Sequence, residues 1–338
     1  MKLLVTGGAG FIGSNFVRWV LAHHPDDQVV NFDKLTYAGN LENLTEVERD
    51  PRYVFVKGDI ASARDVARVF RAHAFDAVVN FAAETHVDRS LHLGVRRFIQ
   101  TNVLGVQTLL DAVRRHRVRR FLQVSTDEVY GSLGPEGLFS ETTPLHPNNP
   151  YAATKAAADL LVAAAGHSHG FEVVITRCSN NFGPYQFPEK LIPLMITNAL
   201  EDRPLPVYGD GLHVRDWIYV PDHCAAVDLA LRQAPPGALY NIGGGYQVPN
   251  LEIVRAILKL LNKPESLIRF VKDRPGHDRR YAMDSRRIRE TLGWRPAYAF
   301  DAALKATVEW YESHRAWWQR VRSGEYRKYY EKLYGWRS

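Results

Sequence analysis

Cysteine is almost missing from this chain: Cys178 and Cys224 are the only two in 338 residues. Two thiols cannot build a disulfide framework, and neither lies in a metal-ligand spacing, so no metal site is expected. Long apolar runs are missing as well. No stretch reaches the roughly 18 residues that span a bilayer, so the membrane is not an expected partner. Lys2 is followed at once by a glycine-rich turn, without the apolar stretch or cleavage site of a signal peptide. A reducing, cytoplasmic setting is expected. Repeats and low-complexity tracts do not occur, and 46% hydrophobic with 24% charged residues excludes disorder, collagen and coiled coil. The 43 Lys and Arg outnumber the 37 Asp and Glu, for a formal net charge of +6. Most of that excess is dispersed rather than gathered into one stripe, although the tail from Trp317 to Trp336 interleaves Arg with aromatics. An anionic small ligand fits this pattern better than nucleic acid.

The chain has room for about two domains. Short apolar or β-branched runs at Lys2 to Val5, Val29 to Phe32, Tyr53 to Lys57, Ala77 to Phe81, Arg120 to Ser125 and Val173 to Arg177 read as strands. Helical patterns near Phe11 to His23, Ala63 to Ala72, Thr101 to His116 and Ala152 to His167 separate them. In the helix from Thr101, Leu104, Leu109 and Val113 are expected to share one face. Strands alternating with helices predict an α/β, Rossmann-type, doubly wound parallel sheet over residues 1–177. After Arg177, six prolines between Pro184 and Pro221 break the chain into loops and short helices. Helical runs follow at Leu251 to Leu261 and from Asp301 to about Arg322. Residues 178–338 therefore read as a smaller mixed α/β substrate domain over the carboxyl ends of the strands. Some later segments are expected to pack back onto the first domain.

The run Gly7-Gly8-Ala9-Gly10-Phe11-Ile12-Gly13 follows the first strand and opens a helix. Glycines there allow a tight turn and close approach to a pyrophosphate, whose charge the helix N-terminus meets. Alone the triplet is weak; between a strand and a helix it points to a dinucleotide. Asp33 ends the second strand, where a carboxylate accepts from an adenosine ribose and repels a 2′-phosphate. NAD is favoured over NADP. Asp59 follows the third strand, within reach of an adenine or equally in an ordinary turn.

Tyr151 and Lys155 stand at i and i+4, on one face of a helix that Pro150 starts. A free tyrosine, with a pKa of about 10, is a poor base at neutral pH. A nearby ammonium and nicotinamide cation favour its phenolate, which then takes a proton from a sugar hydroxyl. Thr126, Asp127 and Glu128 follow the fifth strand. Adjacent acids after a buried strand either cap a turn or do acid–base work, and the neighbouring motifs favour the second.

These motifs come in an order that resembles the extended short-chain dehydrogenase/reductases, and within them the nucleotide-sugar 4,6-dehydratases acting on dTDP-glucose. The resemblance covers nearly the whole chain: GGAGFIGS at 7, DKLTYAGN at 33, AAETHVDRS at 82, STDEVYG at 125, PYAATKAA at 150, CSNNFGPYQFPEKLIP at 178, LPVYGDG at 205, RDWIYVPDH at 215, YNIGGG at 240 and DRPGHDRRYAMD at 273. It implies that Tyr151 takes the proton of the glucose 4-hydroxyl, Glu128 the C5 proton, and that Asp127 protonates the departing C6 hydroxyl. Thr126 holds the 4-oxygen and Lys155 the nicotinamide ribose. NAD, tightly bound and regenerated, is implied to touch Gly7, Gly10, Phe11, Ile12, Gly13, Asp33, Lys34, Leu35, Thr36, Asp59, Ile60, Ala82, Ala83, Thr101, Tyr151, Lys155 and Asn181. The substrate is implied to touch Thr85, Thr126, Asn180, Lys190, Leu191, Pro206, Tyr208, Arg215, Asn250, Arg274 and His277. A homodimer through Thr101 to His116 and Ala152 to His167 is implied, and a place in dTDP-rhamnose formation. UDP-glucose as substrate, a UDP-sugar 4-epimerase and a non-enzymatic NAD-binding regulator are the alternatives. The acid pair at Asp127 and Glu128 argues against the last two.

Overall fold

The computed structural model describes residues 1–92 and 94–323. The aromatic tail beyond Ser323 lies outside them. Seven parallel strands form one sheet: β1 (Lys2–Thr6), β2 (Gln28–Asp33), β3 (Tyr53–Lys57), β4 (Ala77–Asn80), β5 (Arg120–Thr126), β6 (Glu172–Cys178) and, across the intervening elements, β10 (Ala238–Ile242). Their order is β10-β6-β5-β4-β1-β2-β3. Strand direction of winding reverses between β1 and β4, and this switch point opens a crevice at their carboxyl ends.

Alternation along β1 explains the two hydrophobic layers. Leu3 and Val5 face Phe16, Val17 and Val20 of the helix Phe11–His23, together with Val227 and Leu231 of the helix Val220–Gln233. Leu4 faces the opposite layer, with Val66, Val69, Leu109, Val113 and Val162 from three further helices. Strands buried on both faces need the near-continuous apolar runs that the sequence shows.

The second half carries its own apolar cluster, built on Leu194, Ile253, Val254, Leu304 and Trp318. It holds a three-stranded sheet of β7 (Asn180–Phe182), β9 (Val214–Tyr219) and β11 (Tyr246–Pro249), ordered β11-β9-β7. A parallel pair joins β8 (Leu205–Tyr208) to β12 (Ile268–Val271). Both parallel and antiparallel pairings occur, so this half is mixed α/β as expected.

Three details differ from the sequence reading. β10 was not expected; it pairs with β6 and extends the first sheet with chain from beyond residue 177. The expected single helix from Thr101 is a π-helical stretch, Ile99–Gly105, running into the α-helix Val106–Arg115. Leu104 is 55% exposed while Leu109 and Val113 are fully buried. Five residues are about 140° around a helix, so Leu104 and Leu109 cannot share a face. The last helical run is likewise two helices, Phe300–Ser313 and Arg315–Val321.

Candidate active site

The crevice is one cleft of about 280 Å³ that opens to solvent. At one end lies the glycine loop. Gly7 takes φ +69°, and a Cβ on it would stand 2.6 Å from the Ala82 amide nitrogen. A Cβ on Gly13 would meet the Gly7 carbonyl oxygen at 2.3 Å and the Gly8 Cα at 2.8 Å. The following helix starts at Gly10 with no side chain capping it, so its first amides are free for an anion. Gly13→Ala must therefore displace backbone. We expect it to lose stability by about 1–3 kcal/mol and to retain less dinucleotide after gel filtration, measured as nicotinamide released on denaturation.

Asp33 is buried at the end of β2, where its two carboxylate oxygens accept from the amides of Ala9 (3.0 Å) and Leu35 (2.8 Å). Burial raises its carboxyl while those two amides lower it. Lys34 and Asp59 form an ion pair of 2.7 Å across the same wall. Every residue singled out for NAD lines the cleft except Leu35, whose amide is taken up by Asp33.

The reactive wall is built by β5 and the helix Pro150–His169. Thr126 ends β5, and a 3₁₀ turn, Asp127–Tyr130, carries both acids. The Thr126 hydroxyl donates to Asp127 Oδ1 (3.2 Å) and accepts the Glu128 amide (3.3 Å). Asp127 is 2% exposed, and its Oδ2 has no hydrogen-bond partner. Burial first, then the charges of Glu128 and Asp216, push its carboxyl well above the usual carboxylate range, with Arg215 pulling the other way. A buried acid facing the cleft with a free oxygen is a proton donor in waiting.

Tyr151 is also buried, packing edge-on to Phe98. Burial, then the charge of Glu128, raises its phenol well above the ordinary value. The expected help from Lys155 is not seen there. Its ammonium donates to the Val124 carbonyl (2.7 Å), and burial lowers its pKa. Within the protein's own field the phenol is thus the favoured form. Thr126, Asp127, Glu128, Tyr151 and Lys155 all line the cleft.

Of the residues singled out for substrate, Thr85, Thr126, Asn180 and Lys190 line the same cleft. Lys190 donates to the Thr85 carbonyl at 3.2 Å. The Asn180 Oδ1 is buried without a partner, a second unused acceptor on this wall. Leu191, Pro206, Tyr208, Arg215, Asn250, Arg274 and His277 lie off the cleft wall. Two of these converge nonetheless: the buried Asp88 accepts from the Tyr208 hydroxyl (3.1 Å) and pairs with Arg274 (3.2 Å). Arg215 lies over the Tyr281 ring and donates to the Asp278 carbonyl. His277 stacks on His213 with centroids 3.6 Å apart, and Asp273 bonds both rings. Burial and the Arg274 charge push His277 down to about 3. Among the described residues this trio alone has ligand-like spacing for a metal ion. Its rings lie 14° from parallel, which directs their lone pairs alongside each other rather than to one point.

Glu84, Ser179, Gln186, Phe187 and Glu189 also line the cleft, and no sequence motif singled them out. Asp88 lay inside a quoted motif without a role. Asn149, which was not singled out from the sequence, caps the helix from Pro150 and also contacts Glu128.

Residues 4–307 match the model of the GDP-mannose 4,6 dehydratase family. The chain is 52% identical to a dTDP-glucose 4,6-dehydratase of Xanthomonas campestris pv. campestris, over 96% of this chain and 97% of that one. It superposes with a TM-score of 0.92 on a dTDP-glucose 4,6-dehydratase of Streptomyces venezuelae with NAD and TYD bound, at 50% identity and covering 95% and 100% of the two chains. A UDP-glucose 4-epimerase of Thermus thermophilus in complex with NAD gives a TM-score of 0.86 at 31% identity, covering 93% of this chain and 100% of that one. With its glycine loop, acid pair and Tyr151–Lys155 helix on one cleft, the chain belongs to this dehydratase family, beside the dTDP-glucose 4,6-dehydratases.

Proposed function

We propose that this chain converts dTDP-glucose to dTDP-4-keto-6-deoxyglucose and water, as a lyase using NAD. One observation carries the reading: Asp127, held protonated by burial, and Glu128, half-buried beside it, open onto the same cleft as Tyr151. Tyr151 accepts the proton of the sugar 4-hydroxyl. The resulting ketone acidifies C5, and Glu128 removes that proton. Asp127 gives its proton to the C6 hydroxyl, which leaves as water. Glu128, exchanging with solvent, returns a proton to C5. NAD bound in the cleft supplies the hydride acceptor and donor, and its positive charge opposes the burial at the Tyr151 phenol. The glycine cradle, the uncapped helix start and Asp33 fit that group.

The raised Asp127 value fixes a pH dependence. The acid stays protonated well above the ordinary carboxylate range and loses its proton as pH climbs through the raised value. Product formation should fall as pH climbs through that value. Asp127→Asn should remove this alkaline limb along with most of the rate, which a pH–rate profile of product formation measures.

Residues 1–177, joined by β10, form the cofactor unit in this proposal, and 178–338 the substrate unit. A homodimer is supported by apolar side chains that the paired helices leave at the surface: Ile99, Leu104 and Leu160 are 42%, 55% and 62% exposed. No helix among the described residues is long and apolar enough to cross a membrane, and a cytoplasmic site of action is part of the proposal. Incubation of the purified protein with dTDP-glucose and with UDP-glucose tests the function. A 4-keto-6-deoxy product, formed without net consumption of NAD and faster from dTDP-glucose, is expected. Faster turnover of UDP-glucose would reassign the nucleotide.

A further inference from the structure

We propose that Asn149 is a positioning residue for the elimination step, holding the Glu128 carboxylate against the helix that carries Tyr151 and Lys155. The inference rests on the dehydratase reading above. Asn149 is 6% exposed and sits in extended backbone, φ −139° and ψ 161°, immediately before Pro150. Its side-chain oxygen accepts the Ala152 amide at 2.8 Å, the ordinary work of a helix cap. Its side-chain amide has a different task. It donates to Glu128 Oε2 at 3.1 Å, across 21 residues of sequence. Among the described residues this is the only hydrogen bond assigned to that carboxylate.

The consequence is geometric. The Glu128 backbone is fixed by Thr126, whose hydroxyl accepts its amide. The carboxylate at the far end of a flexible side chain is fixed by Asn149. Because the same Asn149 starts the helix, the base that works at C5 and the phenol that works at the 4-oxygen share one anchor. A hydrogen bond to one carboxylate oxygen leaves the other oxygen to face the cleft. Next door, Asn148 donates to Asp278 of the second half at 2.6 Å, so the two asparagines tie the helix start to both halves of the chain.

Helix capping alone does not require asparagine. Asn, Asp and Ser cap about equally well, yet of the three only Asn has an amide donor separate from its capping oxygen. This separates the two roles. Asn149→Ser keeps the cap and loses the side-chain amide; Asn149→Asp keeps the cap and sets a carboxylate against Glu128. Both variants are expected to melt close to the unaltered protein. With dTDP-glucose, Asn149→Ser should form reduced nicotinamide at nearly the normal rate while water loss slows about ten-fold or more. Asn149→Asp should slow water loss at least as much, since it removes the donor and sets a second carboxylate beside Glu128.

Normal elimination rates in both variants would overturn the proposal and leave Asn149 as a cap alone. If Asn149→Asp does not fold, the elimination rate of Asn149→Ser decides. An unaltered protein that yields no dehydrated sugar at all would overturn the dehydratase reading itself, an outcome readily told apart from normal variants.

Discussion

Glu128→Gln is expected to let oxidation at C4 proceed and to stop water loss, so that reduced nicotinamide accumulates on the enzyme. Glutamine keeps the size of the side chain and an oxygen for the Asn149 amide, but it cannot take the C5 proton. Loss of a positioned general base costs about 10²- to 10⁴-fold. The electrostatics sharpen the expectation. The charge of Glu128 is among the causes that raise both the Asp127 carboxyl and the Tyr151 phenol. Neutralising it makes Tyr151 easier to ionise, so oxidation should be unimpaired or faster. Stopped-flow absorbance of the reduced nicotinamide, beside quenched-flow assay of the product, separates the two steps. Elimination at the normal rate would remove Glu128 from the role of base.

The second large effect belongs to Tyr151→Phe. Here the oxidation itself should slow by about 10²- to 10⁴-fold, because the variant lacks the phenol that takes the hydroxyl proton in the proposed reaction. The ring of phenylalanine refills the site beside Phe98, and the change removes only the hydroxyl and its hydrogen bond with the Thr126 side chain. Stability should therefore change little. The two variants fail at different points: one holds the cofactor reduced, the other leaves it oxidised. An unchanged rate of nicotinamide reduction in Tyr151→Phe would assign the base elsewhere.

Much of this architecture was legible because its signals are local. Buried parallel strands advertise themselves as apolar runs, and six of the seven were read within a residue or so at each end. The seventh, Ala238–Ile242, is a short run after Pro235, Pro236 and Gly237, and only its pairing with β6 makes it part of that sheet. The helix after Ile99 was misjudged at Leu104 because a run of apolar residues does not show its own phase. In the site, the glycine loop, Asp33, the Thr126-Asp127-Glu128 turn and Tyr151–Lys155 each sit inside one short segment, and all line the cleft. The contacts that set them are another matter. Asn149 reaches Glu128 across 21 residues, and Asp88 gathers Tyr208 and Arg274 across 120 and 186. Such pairings are decided by tertiary packing, and no local pattern announces them. The protonation of Asp127 is likewise a property of burial, which residue type alone does not give.

The account stands most directly on the traffic of one proton at C5 of the hexose. Turnover of dTDP-glucose in deuterated water, followed by NMR or mass analysis of the sugar, reads it. A 6-deoxy-4-keto product carrying one deuterium at C5 is the predicted result. A product with solvent hydrogen absent from C5, or a 4-epimer that keeps its 6-hydroxyl, would contradict it.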